Sequence, residues 1–198
     1  MLSFTVMNRP TVLLLPLLLS MLFLACGEPE ATIPRPRGYF RIDFPAKAYQ
    51  RYTGNCPFAF DYPLYAQVRP SRENQPCWPN IEFLRLRARL HLSYRPVEGN
   101  LPEILEDSRT LTYKHTVRAN DIREKLYSNP ESRVYGTLYE VSGNAASAIQ
   151  FHLTDSSRHF IRGSLYFDAA PNADSLAPVV EFLRSDINRL IESFSWQN

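Results

Sequence analysis

Apolar residues recur along this chain with two spacings, one typical of half-buried β-strands and the other typical of amphipathic helices. Alternation with a period of two predicts strands over residues 39–44, 58–62 and 81–95, and the first two end at prolines. In the longest of these strands, a change of parity near Phe83 predicts a β-bulge. The proline-rich residues 66–79 are expected to form a loop.

The second half of the chain predicts an antiparallel meander. Its strands cover residues 134–141, 146–154 and 158–167, and Gly143-Asn144 is a typical hairpin signal. A shift of one residue would exchange the faces of a strand, so we expect a three-residue loop before the last strand. This register places six apolar residues on one face: Ile149, Phe151, Leu153, Ile161, Leu165 and Phe167. The opposite face carries the polar set Gln150, His152, Thr154, Arg158, Arg162 and Tyr166.

Two segments have apolar residues at helical spacing. The first helix is predicted over residues 101–116, with Asn100 as its N-cap. The second helix follows a cap at Asp174 or Ser175, and its charged residues, Asp186 among them, are assigned to the solvent side. Its apolar stripe, which is expected to pack on the sheet, comprises Leu176, Val179, Val180, Leu183, Ile187, Leu190, Ile191 and Phe194.

One segment is ambiguous, since Asp121 to Tyr127 fits either a strand or a second short helix. The rest of the pattern predicts an α+β fold, a mostly antiparallel twisted sheet flanked by helices. The high aromatic content, with 11 Tyr and 12 Phe, agrees with such a sheet.

The N-terminal region is typical of an export signal. Residues 12–25 form an apolar run preceded by Arg9, and the run is shorter than the roughly 20 residues that a spanning helix needs. The sequence LACG at residues 24–27 is similar to the bacterial lipobox, although Phe23 stands where a Leu is usual. Cys26 is therefore expected to carry acyl chains, and an ordinary signal peptide with a chance cysteine is the alternative.

These features divide the chain into three parts. We expect a lipoprotein signal peptide over residues 1–25, an acylated Cys26 with a proline-rich tether over residues 26–38, and a single globular domain over residues 39–198. Removal of the signal leaves about 173 residues, enough for one domain with its own core.

The three cysteines have a simple interpretation. With Cys26 acylated, Cys56 and Cys77 remain as a pair in an oxidising compartment, so a disulfide is predicted. In the chain-entropy description this bond stabilises the domain by about 3 kcal/mol. Two free thiols or metal ligands are the alternative, which is disfavoured because neither cysteine has a His or another Cys at ligand spacing.

Charge and motif content do not indicate an enzyme. The chain has 22 Lys and Arg against 20 Asp and Glu, so its net charge gives no argument for nucleic-acid binding. It lacks nucleophile-elbow, P-loop and zinc-protease motifs, and its four histidines are scattered, so no cofactor and no metal is predicted. Asp155, Ser156 and His159 suggest a nucleophile and a base, but a turn whose Asp bonds its own backbone is the favoured interpretation.

Basic and polar residues mark a possible partner surface. In the strand predicted over residues 81–95, Arg85, Arg87 and Arg89 share one face. Such a row suits either the docking of an acidic partner or lipid headgroups, or a merely solvated sheet face. The other members of this surface lie on the polar side of the meander: Gln150, His152, Arg162 and Tyr166.

Two blocks carry a family resemblance, residues 106–117 (EDSRTLTYKHTV) and residues 143–167 (GNAASAIQFHLTDSSRHFIRGSLYF). Supporting matches are residues 34–45 (PRPRGYFRIDFP), Cys56-Pro57-Phe58, Cys77-Trp78, Leu176-Ala177-Pro178 and Phe194-Ser195-Trp196. In these blocks the chain resembles the gliding-motility lipoprotein family GldD of the Bacteroidetes, over essentially its whole mature length. The order of its elements also resembles the PsbP/Mog1-like α/β/α sandwich, which is a likeness of fold alone.

The resemblance implies an accessory protein of the cell envelope that is needed for gliding and is linked to type IX secretion. It matches Cys26 as the lipid site and Cys56 and Cys77 as the paired cysteines, and it implies no catalytic residue. We therefore expect a non-enzymatic interaction module whose partners are the membrane, through its lipid, and other envelope proteins of gliding and secretion. An envelope hydrolase or a small-ligand-binding lipoprotein is the alternative.

The sequence after Cys26 gives one indication of location. Gly27 follows the cysteine, and no obvious signal retains the protein at the inner membrane. The periplasmic face of the outer membrane is therefore the expected location, in preference to the inner membrane.

Overall fold

A computed structural model describes residues 41–71, 75–114 and 118–197, which all belong to one compact unit, Tyr39–Asn198. The predicted signal peptide, the lipid site Cys26 and the tether lie outside the described residues. So do Tyr39 and Phe40 at the start of the first predicted strand.

The described residues form two antiparallel sheets and two helices, which confirms the predicted α+β class. The strands are β1 (Tyr49–Tyr52), β2 (Phe58–Pro63), β3 (Gln67–Pro70), β4 (Pro79–Phe83), β5 (Ala88–Pro96), β6 (Ala119–Asn129), β7 (Val134–Gly143), β8 (Ser147–Thr154), β9 (His159–Phe167) and β10 (Ser195–Trp196). The helices are α1 (Leu101–Lys114) and α2 (Ala173–Glu192), and a 3₁₀ turn covers Leu84–Leu86. The small sheet has the order β1-β2-β10 and the large sheet the order β3-β4-β5-β9-β8-β7-β6.

The core lies on one face of the large sheet, here called the inner face. The side chains of Leu90, Phe151 and Ile161 project from it and are buried against α2 and the small sheet. On the opposite face, Phe160 packs with Ile104 of α1 in a second, smaller cluster. The sheet is thus covered by α2 on one side and by α1 on the other, in the predicted α/β/α order.

Two expectations for the first third of the chain are wrong. Residues 41–48 form no strand, because the ring of Phe44 stacks on Phe182 of α2 at 4.3 Å, and the first strand begins only at Tyr49. The region predicted as a loop contains β3, which pairs with β4 through Val68 and Ile81. Prolines are tolerated there because β3 is an edge strand, and Pro70 lies at its end.

The long strand predicted over residues 81–95 is in fact a hairpin. The 3₁₀ turn reverses the chain between β4 and β5, and Arg87 completes it with a left-handed backbone at φ 49°. Ile81 therefore lies opposite Leu90 on the inner face, so the change of parity marks a chain reversal and no bulge. Leu84 is 54% exposed at this turn.

The ambiguous segment from Asp121 to Tyr127 lies in β6 and is a strand. The caps of both helices differ from expectation. The side chain of Asn172, rather than Asp174 or Ser175, accepts a hydrogen bond from the Ser175 amide at the start of α2. Asn100 does precede α1, and its carbonyl accepts from the Ile104 amide, but its side chain accepts from the Glu98 amide, outside the helix.

The predicted faces of β8 and β9 are confirmed. Leu153 lies opposite Ile161, and His152 lies opposite Arg162, across a three-residue turn formed by residues 156–158. Phe151 lies opposite Gly163, and a Cβ atom at position 163 would fall 2.3 Å from the Phe151 ring. The absence of a side chain at Gly163 is thus what allows the ring to cross the neighbouring strand.

The predicted disulfide is also present, between Cys56 and Cys77. Cys56 comes just before β2 in the small sheet, and Cys77 comes just before β4 in the large sheet. The bond closes a loop with a sequence separation of 21 and ties the two sheets together. In the chain-entropy description it contributes about 3 kcal/mol.

We expect Gly163→Ala to lower the free energy of unfolding by about 1–3 kcal/mol, because the new methyl group overlaps the Phe151 ring. Phe151→Leu makes room for that methyl group, so the double variant should lose less than the sum of the two single losses. Denaturant titration of the four proteins measures this coupling. Strictly additive losses would show that the ring and the strand are not in the described contact.

Candidate functional site

The face of the large sheet opposite the core, here called the polar face, carries most of the candidate chemistry. Strand pairing aligns polar side chains of β4, β5, β9, β8 and β7 in a row across it: Asn80, His91, Ser164, Gln150 and Tyr139. A neighbouring row runs through β5, β9, β8 and β7: Ser93, Arg162, His152 and Thr137. The strand register therefore gathers residues that lie far apart in the sequence.

The structure brings Gln150, His152, Arg162 and Tyr166 onto this one face, as the register predicted. A surface that contacts a protein partner needs exposed side chains, and these four are buried or half-buried. Gln150 is 0% exposed and His152 is 9% exposed, whereas Arg162 and Tyr166 are half-buried. The Nη2 atom of Arg162 donates a hydrogen bond to Oε1 of Gln150. These residues thus form a largely interior polar layer.

The arginine row does not exist as one strand face. Arg85 lies in the 3₁₀ turn, Arg87 ends that turn, and only Arg89 belongs to a strand, β5. Arg87 is 3.2 Å from a carboxylate oxygen of Asp168, and Arg89 is 3.1 Å from one of Glu82. Their charges are therefore offset locally and form no basic stripe.

Three of the predicted surface residues nevertheless meet at a shallow hollow. Arg87, Arg89 and Tyr166 line it together with Glu82 and Asp168, and its volume is about 470 Å³. It is open to solvent at the end of the polar face that lies next to the 3₁₀ turn.

Buried polar atoms without a hydrogen-bond partner are concentrated on the polar face. Within the described residues, seven buried side-chain atoms lack such a partner, and five of them belong to the two rows given above. Burial, and then the nearby charge of Arg162, lowers the pKa of His152 to about 4, so this imidazole is neutral near pH 7. The five atoms are Asn80 Oδ1, Gln150 Nε2, His152 Nδ1, Arg162 Nε and Ser164 Oγ.

The turn that begins at Asp155 has the predicted structural role. Asp155 is buried, and its Oδ1 accepts hydrogen bonds from the amides of Ser157, Arg158 and His159. Burial opposes ionisation of this carboxyl, but the amide donors outweigh it and hold its pKa at about 2. Nδ1 of His159 lies 2.8 Å from the Tyr94 hydroxyl, so these residues do not form a nucleophile and base.

A second polar cluster was missed in the sequence. Asp186 of α2 is buried, and its carboxylate lies 2.7 Å from Nζ of Lys47 and accepts hydrogen bonds from the hydroxyls of Tyr49 and Tyr65. Nζ of Lys47 also lies 3.4 Å from the centre of the Phe182 ring. The cluster attaches the irregular residues 41–48 to α2.

Burial and the bond to Asp186 raise the pKa of Tyr49 to about 12, and they raise the pKa of Tyr65 as well. Burial lowers the pKa of Lys47, although Asp186 opposes that change. The spacing of Leu183, Asp186 and Leu190 places the carboxylate within the apolar stripe, so helical position was the signal that could have found the cluster.

The described residues contain no group of three or more His, Cys, Asp or Glu side chains arranged to hold a metal ion. In the same part of the chain, neither helix is long and apolar enough to cross a membrane.

The fold and the polar face define a small antiparallel α+β sandwich domain. The family model for gliding motility lipoprotein GldD matches residues 29–196. The chain therefore belongs to this family, and it is a lipoprotein of the cell envelope related to gliding motility.

Among solved structures, the chain is similar to the solution structure of cyanobacterial PsbP (CyanoP) from Synechocystis sp. PCC 6803. The two chains have 11% sequence identity and a TM-score of 0.47, and the match covers 77% of this chain and 94% of that chain. A comparison with curated proteins found no match.

We expect Asp186→Ala to lower the free energy of unfolding by about 2–3 kcal/mol, because it removes the acceptor for two tyrosines and the counter-charge of Lys47. Glu181→Ala is the matched control on the same helix. The Glu181 side chain is 71% exposed, so its loss should change stability by no more than about 0.5 kcal/mol. Equal losses in the two variants, measured by denaturant titration, would contradict a specific role for the buried carboxylate.

Proposed function

We propose that this protein is a non-enzymatic accessory component, or scaffold, of the gliding machinery and of the type IX secretion associated with it. The observation that supports the proposal is the family match, which spans residues 29–196 and so includes the described domain except its last residue. In this role the domain acts by contact with other envelope proteins.

The proposal includes the anchor that the sequence predicts. Residues 1–25 are removed as a signal peptide, Cys26 carries acyl chains, and residues 26–38 form the tether. At about 3.1 Å per residue, an extended proline-rich tether of this length holds the domain up to about 40 Å from the bilayer. Two or more acyl chains are enough for stable anchoring, which we place at the periplasmic face of the outer membrane.

The turn between β4 and β5 is the proposed contact surface for a protein partner. It exposes Leu84, an apolar side chain, between β4 and the exposed Arg85, and Arg87 follows within three residues. Arginine is enriched in protein interfaces, and the fully buried part of an interface is more apolar than the rest of the surface. Arg89 and Tyr166 in the adjacent hollow extend this surface along the polar face.

A second candidate function, small-ligand binding, is favoured by the unpartnered buried atoms of the polar face. A hydrolase has less support, because the hydrogen bonds of Asp155 are directed to its own turn.

We expect Leu84→Asp with Arg85→Glu to abolish co-purification with envelope partners and to impair gliding. The double variant replaces an exposed apolar side chain and an exposed positive charge by two negative charges. Leu126→Asp is the matched control, since Leu126 is 87% exposed on β6 at the opposite edge of the sheet. Both proteins should unfold at the wild-type temperature, as surface variants usually do. Wild-type gliding and co-purification in the double variant would reject this surface.

We expect Cys26→Ala to release the protein from the membrane fraction, because the variant has no thiol to acylate. Fractionation of cells and intact-mass measurement of the purified protein test this, with Cys56→Ser as a control that keeps the lipid site. A Cys26→Ala protein that stays in the membrane fraction would contradict the lipid anchor.

A further inference from the structure

We propose that the cleft between α1 and the polar face binds a small organic monocarboxylate through the guanidinium of Arg162. The cleft has a volume of about 200 Å³, and Arg162 lines it beside Ser93 of the adjacent strand and Ser108 of α1. This inference does not rest on the proposed role in gliding.

The first argument is the charge of Arg162. Among the described residues, no carboxylate oxygen lies within 4.0 Å of this guanidinium. The other arginines around it are paired, Arg89 with Glu82 and Arg95 with Asp107. A partly buried charge without a counter-ion is costly, and an anionic ligand removes that cost.

The second argument is the set of hydrogen-bonding atoms beside this charge. Nε of Arg162 and Nε2 of Gln150 are buried donors without a partner, and the Gln150 carbonyl already accepts from Arg162. Ser164 and His152 also have unpartnered atoms in the adjacent register positions, but these two residues and Gln150 do not line the cleft itself. Buried polar groups are usually satisfied, so the unpartnered donor of Arg162, the residue of this group that lines the cleft, indicates that a polar ligand belongs beside it.

The third argument selects the class of ligand. A planar guanidinium binds a planar carboxylate through two parallel hydrogen bonds. The other carboxylate in the cleft, Asp107, would repel a dianion such as a phosphate monoester more than it would repel a monoanion. Ile104, Phe160 and Trp78 line the remaining wall, so the carboxylate should carry a short apolar or aromatic group.

Benzoate is a suitable probe, with benzamide as its uncharged isostere and phenyl phosphate as the competing anion. We expect calorimetric titration of the full-length protein in detergent to give saturable benzoate binding with a dissociation constant near 1 mM. Benzamide and phenyl phosphate should bind at least tenfold more weakly. Benzoate should also raise the unfolding temperature in proportion to its occupancy.

Arg162→Met is the decisive variant, and Arg89→Met is its control on the same face outside the cleft. Arg162→Met should weaken benzoate binding at least tenfold, while Arg89→Met leaves it unchanged. Without ligand, Arg162→Met should unfold within about 5 °C of the wild type, because the removal of a charge without a described counter-ion offsets the loss of its hydrogen bond to Gln150. A merely structural arginine would not behave in this way.

Several results would overturn the proposal. For the wild-type protein, these are the absence of saturable benzoate binding at tens of millimolar, equal binding of benzamide, or preferential binding of phenyl phosphate. For Arg162→Met, they are unchanged benzoate binding, or an unfolding temperature without ligand that falls by more than about 5 °C. Each of these leaves the contact surface at Leu84 untouched, so failure here is distinct from failure of the proposed function.

Discussion

The packing of α2 and the small sheet onto the inner face is the interaction on which the rest of the structure depends. Each fully buried Leu, Ile or Phe side chain in that interface contributes about 1.5–3 kcal/mol. Every second residue of the central strands, such as Leu90, Phe151 and Ile161, contributes its side chain to the core on the inner face. The alternate residues are thereby released from the core and can be polar. The polar face is a consequence of this alternation.

The same helix determines how the chain enters the domain. Asp186 lies within the apolar stripe of α2, and its ion pair with Lys47 fixes residues 41–48 on the helix. The stack of Phe44 on Phe182 makes a second attachment near the same place. Any pull transmitted along the chain toward residue 41 reaches these contacts before it reaches a strand. The buried carboxylate of Asp186 therefore helps to attach the N-terminal residues 41–48 to the core helix.

Much of the fold could be predicted from the sequence wherever side-chain periodicity alone decides the structure. The faces of β8 and β9, the stripe of α2 and the pairing of Cys56 with Cys77 are examples. The hairpin between β4 and β5 was missed because Arg87 adopts a left-handed backbone, where the sequence offers no Gly or Asn as a signal. The strand β3 was missed because its pairing with β4 is a tertiary contact that outweighs its proline content.

The candidate site shows where periodicity stops being informative. Alternation placed Gln150, His152 and Arg162 on one face, but it could not show that Gln150 is fully buried there. Burial depends on what covers a face, which no local pattern specifies, and here the guanidinium of Arg162 lies against Gln150. An exposed polar face would suit a protein partner, whereas a buried one with unpartnered donors suits a small ligand. The two proposed roles therefore use different parts of the domain, the turn at Leu84 for protein contact and the cleft at Arg162 for ligand binding.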